Sequence, residues 1–274
     1  MNELQLKVFN VGHGLSVMIR EIPNNFITLF DLGADANMSP LNYLRKRELI
    51  VNQLYITHPH GDHISEIDKL LYASYQPKRF YIQEYDWDDV ASREQEHLRE
   101  KVKILKTIKN TIPNGIDSGF GNFKFWHYTP KLAKEIFGEN NYINNSSIAG
   151  VYTWRDFKIV ILGDLETEAL KRYCLFDDFI KIAKNPTIFI APHHAHNSGF
   201  PELWVEKIGK PDITIASIKE SDPHICKKYE SSDFNNGLTI QGKTRYCLTT
   251  RNDGTITVNM YYLNNFPKML FSFE

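Results

Sequence analysis

The sequence predicts an α+β fold, on three observations. Three short β-like runs joined by tight turns come before any helix, which is an antiparallel start to a sheet. Strands and helices then alternate, which implies parallel neighbours. Two further strand pairs with polar turns follow in the second half.

The opening strands are Leu4–Phe9, Leu15–Ile19 and Phe26–Phe30, with the Gly-flanked turn Asn10-Val11-Gly12-His13-Gly14 between the first two. The third ends at Asp31-Leu32-Gly33. A helix is expected over Leu41–Leu49, a buried strand over Val51–Ile56 and an amphipathic helix from Ile64 to Leu71, where apolar residues recur at helical spacing. Lys78–Ile82 reads as a strand, Asp86–Ile112 as one long charged helix and Phe123–Pro130 as a strand. Ile148–Trp154 and Phe157–Leu162, with Arg155-Asp156 at the turn, form a hairpin. Helices are expected over Glu166–Leu175 and Glu202–Ile208, and strands over Thr187–Ala191 and Asp212–Ser217. Arg245–Thr250 and Thr255–Met260, joined through Asp253-Gly254, read as a closing hairpin. No linker, repeat or low-complexity segment interrupts residues 1–274, so one domain is expected.

The chemistry concentrates in His58-Pro59-His60-Gly61-Asp62-His63, between the end of a strand and the start of a helix. His58 and His60 leave an extended segment on the same side, which suits two ligands on one metal. Asp62 and His63 follow in the turn and point elsewhere, which suits a second metal close by. Asp164 stands at the tip of a buried strand, where a carboxylate is costly unless it is paired or bound to a metal. Another strand ends in Pro192-His193-His194-Ala195-His196.

Composition bounds the alternatives. Lys and Arg number 32 against 33 Asp and Glu, so a broad basic face for non-specific DNA binding is not expected. Cys174, Cys226 and Cys247 are widely spaced and odd in number, which argues against a disulfide scaffold or a thiolate zinc site. The first residues lack a signal-peptide pattern and no apolar run approaches the ~20 residues of a bilayer span. The expectation is a soluble, cytoplasmic protein with no membrane role.

The motif His58-x-His60-x-Asp62-His63 resembles the metal-binding motif of the metallo-β-lactamase fold superfamily. That resemblance implies an αββα sandwich of two mixed β-sheets flanked by helices. It also implies two divalent metal ions, Zn²⁺ or Mn²⁺, held by His58, His60, Asp62, His63, Asp164 and His193, with Asp164 between them. Asp31 would sit beneath the ligand loop and brace it. The order of motifs, Asn10–Gly14, Asp31–Gly33, the His-rich loop, Asn145-Ser146-Ser147, Leu162-Gly163-Asp164 and Ala191–His194, looks like the metallo-β-lactamase domain of the ComEC-type DNA-uptake channel proteins, over roughly residues 4 to 262. The expectation is a free-standing soluble relative, without the channel part of those proteins. His13 stands where that family has Gln, and the superfamily's usual third His on the first metal has no counterpart, with Asn145 near that place. A site poorer in nitrogen accepts Mn²⁺ more readily.

The resemblance implies a metal-dependent hydrolase, a phosphodiesterase or nuclease using a metal-bridged hydroxide, with nucleic acid or another phosphodiester as substrate. Asp62 would orient or deprotonate the water, and His194 and His224 would hold the phosphate or protonate the leaving oxygen. The alternatives are hydrolysis of a small ester, thioester or lactam, and a subunit of a multi-protein system such as bacterial defence, with a protein partner. Fold does not choose among them.

Overall fold

The computed structural model describes residues 2–115, 119–219 and 225–274. His224 lies outside the described residues. Two mixed sheets pack face to face. The first holds β1 (Glu3–Val8), β2 (Val17–Ile22), β3 (Phe26–Phe30), β4 (Gln53–Tyr55) and β5 (Arg79–Tyr81). The second holds β6 (Asn122–Trp126), β7 (Ala149–Trp154), β8 (Phe157–Ile161), β9 (Ile188–Ile190) and β10 (Ile213–Ala216). A small hairpin, β11 (Leu238–Ile240) and β12 (Lys243–Arg245), stands apart. Then β13 (Cys247–Thr249) joins the second sheet, and β14 (Ile256–Leu263) and β15 (Phe266–Phe273) join the first. The orders are β15-β14-β1-β2-β3-β4-β5 and β13-β10-β9-β8-β7-β6.

Alternation along the strands builds three apolar layers. In β8, Phe157, Ile159 and Ile161 face the other sheet, where they meet Leu4, Leu6 and Val8 of β1. Val160 faces outward onto Leu170, Phe179 and Trp204, whose helices cover the second sheet. The outer face of the first sheet carries Met18, Leu29 and Leu54 against Leu41, Val90, Val102 and Leu105 of its own helices. The result is helix, sheet, sheet, helix. Among the described residues no helix is long and apolar enough to cross a membrane.

Strand direction places the site. β3, β4 and β5 run parallel, as do β8, β9, β10 and β13. The carboxyl ends of these strands carry Asp31, Thr57 and His58 on one sheet, and Asp164, His193 and Ser217 on the other. In sheets of this kind the crevice outside those ends is where ligands bind.

Three sequence expectations are corrected. The stretch Ile64–Leu71 is a turn followed by a single 3-10 segment, Ile67–Leu71, rather than a full helix. Its first backbone groups bond across to another loop, with Leu32 N–H on His63 O and Glu66 N–H on Leu32 O. The long helix is two, Trp87–Arg93 and Glu96–Thr111. The break leaves Glu94 extended, and its Oε1 accepts the Gly61 N–H of the His-rich loop at 3.2 Å. The expected closing hairpin does not form, because β13 and β14 lie in different sheets and residues Thr250–Asp253 make a helical turn between them. The hairpin there is β14–β15, turned by Asn264 and Asn265, both at positive φ. The three cysteines are free.

Gly163 marks a close approach between the sheets. Its φ is +53°, and an added Cβ would lie 2.8 Å from Thr57 Oγ1 and 2.9 Å from Ser147 Cβ. Gly163→Ala is therefore expected to cost about 2–4 kcal/mol, from the left-handed backbone and the overpacking together. Urea unfolding of the two proteins measures it, and a cost within about 0.5 kcal/mol of zero would contradict this packing.

Candidate metal centre

Asp31 organises the His-rich loop. It is fully buried at the end of β3. Its Oδ1 accepts the Thr57 N–H at 2.7 Å, and its Oδ2 accepts the Thr57 hydroxyl and the His63 Nδ1–H, each at 2.8 Å. With Nδ1 engaged, the Nε2 of His63 faces away from Asp31 into the crevice. This is the carboxylate–imidazole arrangement that fixes the ring of a metal ligand. Thr57 Oγ1 also lies 3.2 Å from His58 Nδ1. The loop tip is closed by Gly14 (φ +127°), where an added Cβ would sit 2.4 Å from the Asp62 carbonyl oxygen.

Four side chains converge above that base. One donor atom from each of Asp62, His63, Asp164 and His194 lies within 4.8 Å of all the others. His63 Nε2 is 3.1 Å from Asp164 Oδ1, 3.3 Å from His194 Nε2 and 3.7 Å from Asp62 Oδ2. His194 Nε2 is 3.1 Å from Asp62 Oδ2 and 3.5 Å from Asp164 Oδ2. His58 and His60 stand beside this group, with His58 Nε2 3.1 Å from His60 Nδ1 and 3.8 Å from Asp164 Oδ2. Asp164 thus lies between the two sets of imidazoles.

The donor set fits a divalent cation. Donors held at about 2.0–2.1 Å around a tetrahedral ion lie about 3.3 Å from one another. The spacings above bracket that value. Asp164 Oδ1 is buried, and its near neighbour is His63 Nε2 at 3.1 Å, so a cation would take the place of the His63 proton beside it. The charge state agrees. Burial opposes protonation of His194 and His63, yet Asp164 and Asp62 outweigh it, raising His194 to about 10 and His63 well above the ordinary imidazole value. Burial itself is the leading influence on His58 and His60, which it keeps neutral.

The two vicinal histidines separate. His193 and His194 both have positive φ, 49° and 51°. That left-handed turn aims His194 at the cluster and leaves His193 outside it, with Nδ1 3.1 Å from Ser198 Oγ. His194, expected to handle phosphate, is therefore among the candidate ligands, and His193, expected among them, is on the rim. Asn145 does not face the cluster; its amide pairs with Glu166, Nδ2 to Oε2 at 2.9 Å and Oδ1 to the backbone N–H at 3.0 Å. His13, which stands where the resembled family has Gln, has Nε2 3.5 Å from Asp62 Oδ2 and its ring 4.7 Å from that of His194. Thr57 and Glu94 were not singled out by sequence. Thr57 had a signal in its place directly before the motif, whereas Glu94, in a charged helical stretch, had none.

Two cavities lie along the second sheet's side of the molecule. One of about 380 Å³ is lined by Phe137, Asn145, Glu166, Arg172 and Ser198. The other, about 550 Å³, opens toward β10 and β13 beside His13.

No family model matches the chain, and no curated protein matches it by sequence. Among solved structures it is similar to the metallo-β-lactamase fold protein YhfI from Bacillus subtilis, with TM-score 0.52 and 14% identity over 86% of this chain and 95% of that one. A likeness with TM-score 0.45 and 14% identity joins 78% of this chain to 92% of the short form of human tRNase Z. The first likeness gives the fold: this chain has the metallo-β-lactamase fold.

A cation entering the cluster must displace the protons on His63 and His194. Because both folded-state values are raised, those protons are held at neutral pH and lost only as pH climbs toward about 10 for His194. Affinity of the chelator-stripped protein for Zn²⁺ or Mn²⁺ is thus expected to rise between about pH 7 and 9, about tenfold per pH unit for each proton displaced. Calorimetric titration in buffers of different ionisation enthalpy reads the protons released; a heat independent of buffer would refute this charge state.

Proposed function

We propose that this protein is a metal-dependent hydrolase of phosphodiester bonds, a nuclease acting on polynucleotide. The observation that carries the reading is Asp164, a buried carboxylate set between His63–His194–Asp62 on one side and His58–His60 on the other. That placement would let Asp164 serve divalent cations on either side of it, which would supply Lewis-acid stabilisation of phosphoryl hydrolysis. The motif order resembling the ComEC-type domain supports the phosphodiester substrate class.

In this reading Asp62, His63, Asp164 and His194 would hold one ion, and His58 and His60 with Asp164 would hold a second. Only three protein donors serve the second, which leaves room for oxygen ligands and favours Mn²⁺ beside Zn²⁺. Divalent cations there would lower the pKa of a water molecule toward neutrality and offset the negative charge that builds at phosphorus. Asp62 is the carboxylate of the cluster open to the crevice, with its side chain 25% exposed against 6% for Asp164. It is placed to orient the attacking water and accept its proton. Asp31 and Thr57 hold the imidazoles in register. His193 and Ser198 form the rim, where His193 is kept neutral by burial and offers a hydrogen bond to a substrate oxygen. His224 is retained as a candidate phosphate contact, and a protein partner remains part of the proposal.

The test is cleavage of single- and double-stranded DNA and RNA with Mn²⁺, Mg²⁺ or Zn²⁺. Wild type should cut with at least one cation, and Asp164→Asn should not. Asp31→Asn, which leaves every donor in place but frees the His63 ring, should lose about 10–100-fold in metal affinity or activity. Turnover of a small ester or lactone, with no polynucleotide cut, would replace the nuclease reading with that of a small-molecule hydrolase.

A further inference from the structure

The first sheet ends in an uncovered strand. β15 pairs with β14 on one side, and among the described residues no strand pairs with its other edge. Hydrogen-bond alternation decides which groups that edge offers. Thr255 and Glu274 exchange both backbone bonds, at 2.8 and 3.0 Å. The register runs on from Ile256 opposite Phe273 to Leu263 opposite Phe266. Alternation along it turns the N–H and C=O groups of Met269, Phe271 and Phe273 outward, away from β14. Pro267 shares that outward side and has no N–H to offer, so an added strand is restricted to the part of β15 beyond it. Side chains divide by the same alternation. Met269, Phe271 and Phe273 are half-buried against the apolar layer between the sheets. Lys268, Leu270 and Ser272 stand on the opposite face in solvent, Leu270 at 58% exposure. An uncovered edge of this length with apolar side chains is a template for another strand.

We propose that β15 pairs antiparallel with the β15 of a second copy of this chain, about a two-fold axis at Phe271, so that the first sheets of the two copies become one. The segment is complementary to itself in that register. With Phe271 opposite Phe271, every outward group of Met269, Phe271 and Phe273 finds a partner, about six main-chain bonds in all. Met269 meets Phe273, and the two Phe271 rings meet at the axis, which extends the apolar layer across the joint. On the exposed face Leu270 stands opposite Ser272 and diagonal to the other Leu270. Lys268 stands opposite Glu274, a pair of opposite charge in the closer, non-hydrogen-bonded position. Lys268 makes no ion pair among the described residues. The half-exposed Glu274 carboxylate is engaged by Lys7 through Oε1, at 2.8 Å. Moving the axis to Leu270 would set Pro267 opposite Phe273, with an N–H missing, and Lys268 opposite Ser272. Pro267, Lys268 and Glu274 together therefore select the axis at Phe271, and this match of charge to charge favours a second copy over an unrelated strand.

Sedimentation equilibrium of the full chain at about 1–100 μM reads the association. Wild type is expected to dimerise. A monomer throughout that range overturns the proposal and leaves the edge to a strand of another protein. Lys268→Glu sets like charges opposite each other twice across the axis and should weaken the dimer about tenfold. Leu270→Lys, which puts a charge on the edge, should weaken it at least as much. Lys124→Glu on β6, the end strand of the second sheet, is the control. All three side chains are exposed, so the fold does not depend on them. Equal weakening in all three variants, or none in the first two, overturns β15 as the interface. Cross-linking reads the register. Leu270→Cys mixed with Ser272→Cys should give a disulfide-linked pair on mild oxidation, because the Cα atoms of such opposed residues lie about 4.5 Å apart. Neither variant alone should link through its new thiol, since the diagonal separation of about 7–8 Å is too long. Mass spectrometry of the linked peptides separates these thiols from Cys174, Cys226 and Cys247. No link in the mixture, or self-linkage of Leu270→Cys alone, overturns the axis at Phe271.

Discussion

The Asp31 carboxylate carries more of this structure than any other single group. Burying an ionised carboxylate costs several kcal/mol unless its oxygens are satisfied, and here three donors satisfy them. Two belong to Thr57 and one to His63, so a single side chain fixes both ends of the His-rich loop. It also decides which nitrogen of His63 faces the crevice. Asp31 can sit there because β3 and β4 run parallel and end together, with the Asp31 N–H on Tyr55 O at 2.9 Å. The left-handed backbone at Asp31, φ +59°, then turns the chain under the loop instead of past it. The cost of that conformation is offset locally, which is a common feature of functional sites.

From that anchor the centre is assembled by two sheets, not one. Asp62 and His63 come from the first sheet's β4 end, and Asp164 and His194 from the second sheet's β8 and β9 ends. Neither pair is a metal site alone. The four donors meet only when the apolar layer between the sheets is closed, with Phe30 and Tyr55 on one side and Ile148, Ile161 and Ile190 on the other. Metal binding and tertiary folding are therefore linked: an ion that binds the closed sandwich and not the open chain stabilises the sandwich by its own binding free energy. Gly163 and Ser147 lie in the same seam, where the Asp164 N–H donates to Ser147 Oγ at 3.1 Å. The polar triad Asn145-Ser146-Ser147, conspicuous in the sequence, thus serves to position Asp164 and Glu166 and not to contact the ions' donors.

What the sequence disclosed follows from what is periodic or chemically costly. The two-residue spacing of His58 and His60, the carboxylate at the tip of β8 and the antiparallel opening are visible because strand periodicity and desolvation act on neighbours in sequence. The sandwich itself came from resemblance, not from periodicity. The choice between His193 and His194 was hidden, since consecutive positive φ values reverse which ring points inward and no local rule predicts two of them in non-glycine residues. The helix expected after the motif failed for a tertiary reason: Glu66 turns inward to Ser39, the Leu41 N–H and Lys69, and its backbone bonds Leu32. The false hairpin had correct strands and a plausible Asp-Gly turn, but β13 and β14 have apolar faces that complete different sheets. Thr57's role was legible only once Asp31 was seen beneath it, and Glu94's only once the long helix was seen to break.

Overall charge says little about a local centre. A net charge of −1 weighs against a broad basic face but does not report the field in one crevice. The crevice holds two carboxylates, half-buried Asp62 and buried Asp164, whose pKa values are held low against the effect of burial by His63 and His194. Their charges are balanced by two protonated imidazoles, so the crevice is close to neutral and offers a phosphate little attraction. Exchanging two protons for two divalent ions adds about two positive charges at the same place, in a low-dielectric crevice where each is worth more than on the surface. The acidic and basic residues elsewhere on the chain, many of them paired as Arg93 is with Asp89 and Glu139, cancel in the count without acting at the centre.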